Sequence, residues 1–191
     1  MALAIPPKLR ELDIGVMAAD HINQKTCDDL IELHKNSQNL AVQGKVGQDN
    51  SYLVDMNVRQ TEVFVIHEKF TWVDELIVKC AVEANKQFNF NLTGLLERPQ
   101  LLKYTAPSQG YDWHLDVGLG DASTRKISIS ILLNDDYKGG DLAFFTDGES
   151  QIDPDKGTAV AFPSYLPHRV TPLTEGTRWS LVCWIAGEPF R

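Results

Sequence analysis

Beyond Asn91 the chain consists of short runs rich in β-branched and aromatic residues, and this change of pattern most limits the folds open to it. The runs are PQLLKYTA, KISISILLN, GDLAFFT, GTAVAFPS and RWSLVCWIAG, with turn signals such as DDYKGGD, DPDKG and TEG between them. β-Branched and aromatic side chains suit a pleated, half-buried surface, while Gly, Pro and Asp punctuate it. So many short strands at regular spacing predict a sandwich or a double-sheet jelly roll. Upstream the period is helical. Asp20 is placed to cap HINQKTCDDLIELHKNS, where Ile22, Leu30, Ile31 and Leu33 form a partial apolar stripe. A second helix is predicted over residues 68–88, with Val73, Leu76, Ile77, Cys80 and Ala81 at three-and-four spacing. The polar stretch between them, residues 37–57, reads as a long functional or disordered loop, and VRQTEVFVI as a strand. No repeat, low-complexity tract or linker divides the chain. The expectation is one α+β domain over 1–191, with helical support over about 1–95 backing a β core over about 96–191.

The bounds agree with this. A chain of 191 residues with 43% hydrophobic content can bury one substantial core. A net charge of −8 argues against a broad grip on nucleic acid, whose phosphates are met mainly by basic side chains. The opening MALAIPPKLREL lacks the pattern of a signal peptide or a membrane anchor. Cys27, Cys80 and Cys183 are odd in number and far apart, as expected of reduced core thiols. The expected setting is cytoplasmic, intracellular and soluble. The oligomeric state is not written in the sequence.

YDWHLDVG, residues 111–118, carries the chemistry. Side chains two apart on a strand share a face, so His114 and Asp116 can offer one imidazole nitrogen and one carboxylate oxygen to one ion. Of the five histidines, His168 in PSYLPHRV, after another predicted strand, is the best third ligand. Two histidines and an acid on one side of a metal form the facial triad of non-haem Fe(II) oxygenases, although zinc hydrolases use the same set. Arg178, at the start of RWSLVCWI, can point into the same cavity, and its planar fork suits a carboxylate. A buried guanidinium implies a bound anion. In ISISI, Ser128 and Ser130 face opposite to the isoleucines, toward either a pocket or solvent. The plainer readings are Arg178 as a surface partner of Glu175, Tyr104 and Trp184 as core filling, and Asp135 and Asp136 as turn residues. Loop polarity alone accounts for Arg125 and Tyr137.

With these residues in order, the chain resembles the Fe(II)- and 2-oxoglutarate-dependent dioxygenases, and within them the prolyl 4-hydroxylase-like branch with its PKHD-type hydroxylases. The match runs from LLKYTAPSQGYDWHLD through YKGGDLAFF to GTAVAFPSYLPHRVTPLTEGTRWSLVCWI. The resemblance implies a double-stranded β-helix (jelly roll) core and a facial triad of His114, Asp116 and His168 on Fe(II). It implies Arg178 on the distal carboxylate of 2-oxoglutarate, and Tyr104 and Trp184 at or near the cosubstrate pocket. A second family tyrosine falls here near Leu132, so the distal clamp is expected to rest on Arg178 with a serine or threonine. The implied reaction hydroxylates a prolyl residue of a peptide or protein, consuming O2 and releasing succinate and CO2, with ascorbate as a possible reductant. The loop around 38–57 is a candidate lid. Three alternatives stand beside this: a hydroxylase of a free amino acid or other small molecule, a cupin-like metal-binding module without turnover, and an oxygenase of damaged bases. The last group typically carries another arginine six residues after the clamp, where this chain has Trp184.

Overall fold

A computed structural model describes residues 15–35, 42–43 and 61–189. The first element is a strand, β1 (Met17–His21), followed by helix α1 (Gln24–Lys35), β2 (Val42–Gln43), β3 (Glu62–Val65), helix α2 (Thr71–Phe88) and β4 (Leu92–Leu95). Then come β5 (Gln100–Thr105), β6 (Tyr111–His114), β7 (Arg125–Leu132), β8 (Tyr137–Gly139), β9 (Leu142–Phe145) and β10 (Glu149–Ile152). β11 (Thr158–Pro163), β12 (His168–Val170) and the 15-residue β13 (Leu173–Gly187) complete the order. They form a large sheet, β1-β11-β7-β13-β5-β3-β2, with β4 and β8 on β13, and a small sheet, β10-β9-β12-β6. Every pairing is antiparallel, which gives each strand two differently occupied faces.

Those faces build two cores. Ile127, Ile129 and Ile131 of β7 join Trp179, Leu181, Cys183 and Ile185 of β13 against the helices. Val73, Ile77, Cys80, Ala81 and Ala84 form the stripe by which α2 meets that face, and α1 adds Cys27 and Leu30. On the opposite face, Val160 and Phe162 of β11 meet Leu142 and Phe144 of β9, so the small sheet closes over the large one. This is the expected jelly roll in two layers. Ser128 and Ser130 therefore lie between the sheets, which settles the ISISI alternation in favour of an interior.

The N-terminal region departs from expectation in useful ways. Asp20 caps no helix; it sits at the end of β1 and holds Lys79 of α2 at 2.7 Å. Asn23 takes the capping position, its side-chain oxygen accepting from the Thr26 backbone N–H at 2.9 Å. β1 pairs with β11, so part of the segment expected to give helical support is sheet instead. The second helix ends as Asn89 enters the left-handed region (φ 55°) and donates its N–H to the Asn85 carbonyl. Apart from β2, the polar stretch proposed as a lid lies outside the described residues. No helix among the described residues is long and apolar enough to cross a membrane.

Candidate active site

β6 and β12 are neighbours in the small sheet, and His114 stands directly opposite His168 in their register. Their ring centroids are 4.2 Å apart. Each ring is fixed by a local contact: Nδ1–H of His114 donates to the Asp112 carbonyl at 2.7 Å, and that of His168 to the Leu166 carbonyl at 3.0 Å. Donation from Nδ1 leaves the lone pair on Nε2, the atom that could bind a metal. Tyr111 stacks on His114 at 3.6 Å, and Phe162 packs edge-on to His168 at 4.7 Å.

Asp116 sits just beyond β6, where its backbone N–H and that of Val117 both donate to the Ser164 carbonyl. Its carboxylate oxygens lie 3.7 Å from Nε2 of His114 and 3.4 Å from Nε2 of His168. One donor atom from each residue can be chosen so that all lie within 4.8 Å of one another. Two ligand atoms about 2.1 Å from one ion and at right angles are about 3 Å apart, so the preformed spacing needs little closing. Ser128 Oγ donates to the same carboxylate at 2.6 Å, and the Trp184 indole N–H also donates to it. Burial by itself would raise the Asp116 pKa. The adjacent imidazoles in their protonated form, His168 ahead of His114, and the two hydrogen bonds outweigh burial and hold it below the usual carboxylate range.

Ser130 and Leu132 follow Ser128 along the inward face of β7, and they lead into a small, partly open cavity. Tyr137, Asp141, Asp153 and Arg178 also line it. Arg178 is 4% exposed, and its Nη1 donates to Ser180 Oγ at 3.0 Å. Its Nε is buried without a partner, and Glu175 pairs with Lys138 instead. A buried cation with no carboxylate paired to it among the described residues is suited to receiving an anion. Tyr104 lies opposite Arg178 in the β5–β13 register, its ring 5.9 Å from the guanidinium and its buried hydroxyl also unpartnered. It packs against Val63, Leu102 and Leu173 behind the cavity, outside the lining.

Two residues that the sequence left to loop polarity belong here. The Arg178 guanidinium donates to the Tyr137 hydroxyl oxygen, and burial, only partly opposed by that charge, raises the phenol pKa. The polar companion of Arg178 is thus a tyrosine from β8 together with Ser180, while Leu132 is a wall of the cavity. YKGG held the signal, for Gly139 (φ 72°) and Gly140 (φ 70°) fold this turn onto Arg178. A Cβ on Gly140 would stand 2.9 Å from Arg178 Cδ. The other is Arg125, stacked 3.9 Å over Trp184. Asp136 lies in the connection between β7 and β8, its carboxylate accepting from the Asn134 side-chain amide.

The model of the 2OG-Fe(II) oxygenase superfamily matches residues 99–186, the segment that holds the triad, the cavity and Arg178. Over these residues the chain is similar to that superfamily. Among curated relatives of the PKHD-type hydroxylase group, one from Picosynechococcus sp. is 32% identical over 111 residues, covering 56% of this chain and 51% of that protein. Another, from Thermosynechococcus vestitus, is 28% identical over 160 residues, covering 78% and 71%. The chain spans about half the length, or less, of several curated relatives it matches. In fold it is similar to a Pseudomonas putida prolyl-4-hydroxylase (TM-score 0.70, 21% identity, 90% of this chain and 91% of that one). A Trichoplax adhaerens prolyl hydroxylase in complex with a hypoxia inducible factor peptide fragment gives 0.71 at 18% identity, over 92% and 84%. 2OG-Fe(II) oxygenases use Fe(II), 2-oxoglutarate and O2, and this site fits them: a His-Asp-His cluster suited to an ion, and a buried arginine in the cavity wall whose Nε has no partner.

Proposed function

We propose that this protein is an Fe(II)- and 2-oxoglutarate-dependent dioxygenase that hydroxylates a prolyl residue of a peptide or protein. One O2 is consumed per turnover, one atom entering the substrate C–H as hydroxyl and the other entering succinate as 2-oxoglutarate loses CO2. The observation that carries this is a preformed two-histidine, one-carboxylate cluster joined by the inward face of β7 to a buried, anion-seeking arginine. We treat 1–191 as one catalytic domain in an intracellular, cytoplasmic setting; the pairing of β1 with β11 and three unpaired buried cysteines support this.

When bound, the metal and cosubstrate supply the oxidising chemistry. The chain supplies placement. His114 Nε2, His168 Nε2 and one Asp116 oxygen would hold Fe(II) on one side and leave the other side open. Arg178 and Tyr137 would bind the distal carboxylate of 2-oxoglutarate, and the Tyr104 hydroxyl offers a further donor. Phe162, Leu142 and Val160 exclude water from the interior, where charge-assisted bonds gain strength.

The test is an anaerobic mixture of protein, Fe(II) and 2-oxoglutarate. A metal-to-ligand charge-transfer band, followed in air by succinate and a gain of one oxygen on a proline-containing peptide, is the expected result. Hydroxylation of a free amino acid in place of peptides would reassign the substrate. A band with no succinate across the peptide panel would make the protein a binding module.

A further inference from the structure

We propose that Arg125, locked by Glu97, is a positioning residue that sets the Asp116 carboxylate for metal binding through the Asp116 peptide and the Trp184 ring. This rests on the metal-centre reading above. The geometry uses every edge of one planar group. Nε and Nη2 of Arg125 donate to the two oxygens of Glu97, each at 2.6 Å, a bidentate pair with both side chains about three-quarters buried or more. Nη1 donates to the Asp116 backbone carbonyl at 3.1 Å. The face of the guanidinium lies 3.9 Å from the centre of the Trp184 ring, and the indole N–H of that ring donates to the Asp116 carboxylate. The same aspartate is therefore held twice from one arginine: directly at its peptide, and indirectly through the tryptophan that the arginine covers.

The arrangement demands arginine. A lysine could reach Glu97, yet it has no plane to stack on the indole and no fork to divide between a carboxylate and a carbonyl. An ordinary half-exposed ion pair would contribute at most about 1 kcal/mol to stability and would not touch the metal site. Partners that orient metal ligands act otherwise, their loss typically weakening metal binding about 10–100-fold.

The distinction is measurable with Co(II), whose visible bands report both affinity and coordination geometry, on the full chain. Arg125→Lys and Arg125→Gln are compared with Arg98→Gln, which breaks a similarly exposed pair with Asp74 that contacts no triad residue. The expected result is Co(II) affinity about 10–100-fold weaker in both Arg125 variants with altered band shape, and wild-type affinity and bands in Arg98→Gln. Trp184→Phe keeps a ring under the guanidinium and loses the N–H; it should bind several-fold more weakly even if Arg125→Gln fails to fold. Wild-type affinity and spectrum in Arg125→Lys, or a loss no larger than that of Arg98→Gln, would overturn the positioning role while leaving the metal site standing. Failure of the unaltered chain to bind Co(II) would overturn the metal site, and the positioning role with it.

Discussion

Arg178 concentrates the problem of a buried charge at one residue. Its aliphatic stem is covered by the Gly139–Gly140 turn, Tyr137 accepts from it, and its Nε is left without a partner. A charge-assisted bond is worth about 1.5–3 kcal/mol, so Arg178→Gln should weaken 2-oxoglutarate binding about 10–100-fold while Co(II) still binds. Calorimetric titration of the two ligands separately checks this. Tyr137→Phe removes a neutral partner and should weaken 2-oxoglutarate only several-fold in the same titration. Gly140→Ala places a methyl against Arg178 at a φ that disfavours L side chains, so both stability and cosubstrate affinity should fall. The sequence exposed the arginine through its place in the PHRVTPLTEGTR run. It did not expose Tyr137, because one tyrosine in a polar loop looks the same whether it turns in or out.

Among the elements, α2 was legible and β12 was not. A stripe from Val73 to Ala84 repeats for three turns, whereas the three residues of β12 are too few to show any period. α2 owes its place to burial, so Ile77→Ala should cost about 2–5 kcal/mol in urea unfolding. α1 carries a pH dependence. His34 is 1% exposed between Phe64 and Trp179, with neither ring nitrogen hydrogen-bonded. Burial, helped by Lys103 and opposed by Glu62, depresses its pKa below the ordinary histidine value. The unfolded chain then binds the proton more readily, so stability is full above about pH 6.5 and falls as pH drops toward the lower folded value. Urea midpoints of metal-free protein at pH 7.5 and 5.5 should differ, and His34→Phe should reduce the difference.

At the scale of the molecule, the triad and the cavity lined by Arg178 both lie between two sheets, so ligands that bind there only in the folded state must stabilise the whole. At one hundred times its Kd a ligand adds about 2.7 kcal/mol, which for a domain of this size raises Tm by about 5–10 °C. Differential scanning fluorimetry should show that rise with Mn(II) and 2-oxoglutarate, and a chelator should abolish it. Arg178→Gln should keep the part of the rise due to metal.

The order and spacing of His114, Asp116, His168 and Arg178 were readable from the chain because strand alternation and side-chain chemistry are local properties. The inward turn of Ser128 and Ser130 was not, since alternation divides a strand into two faces without saying which is covered. That depended on the small sheet closing over the large one. Asn23 replacing Asp20 as the cap, Tyr137 joining Arg178 and Glu97 reaching Arg125 were decided the same way. Each pairs residues whose meeting, or whose role, is fixed only when β1, β8 and the segment before β5 take their places against distant strands.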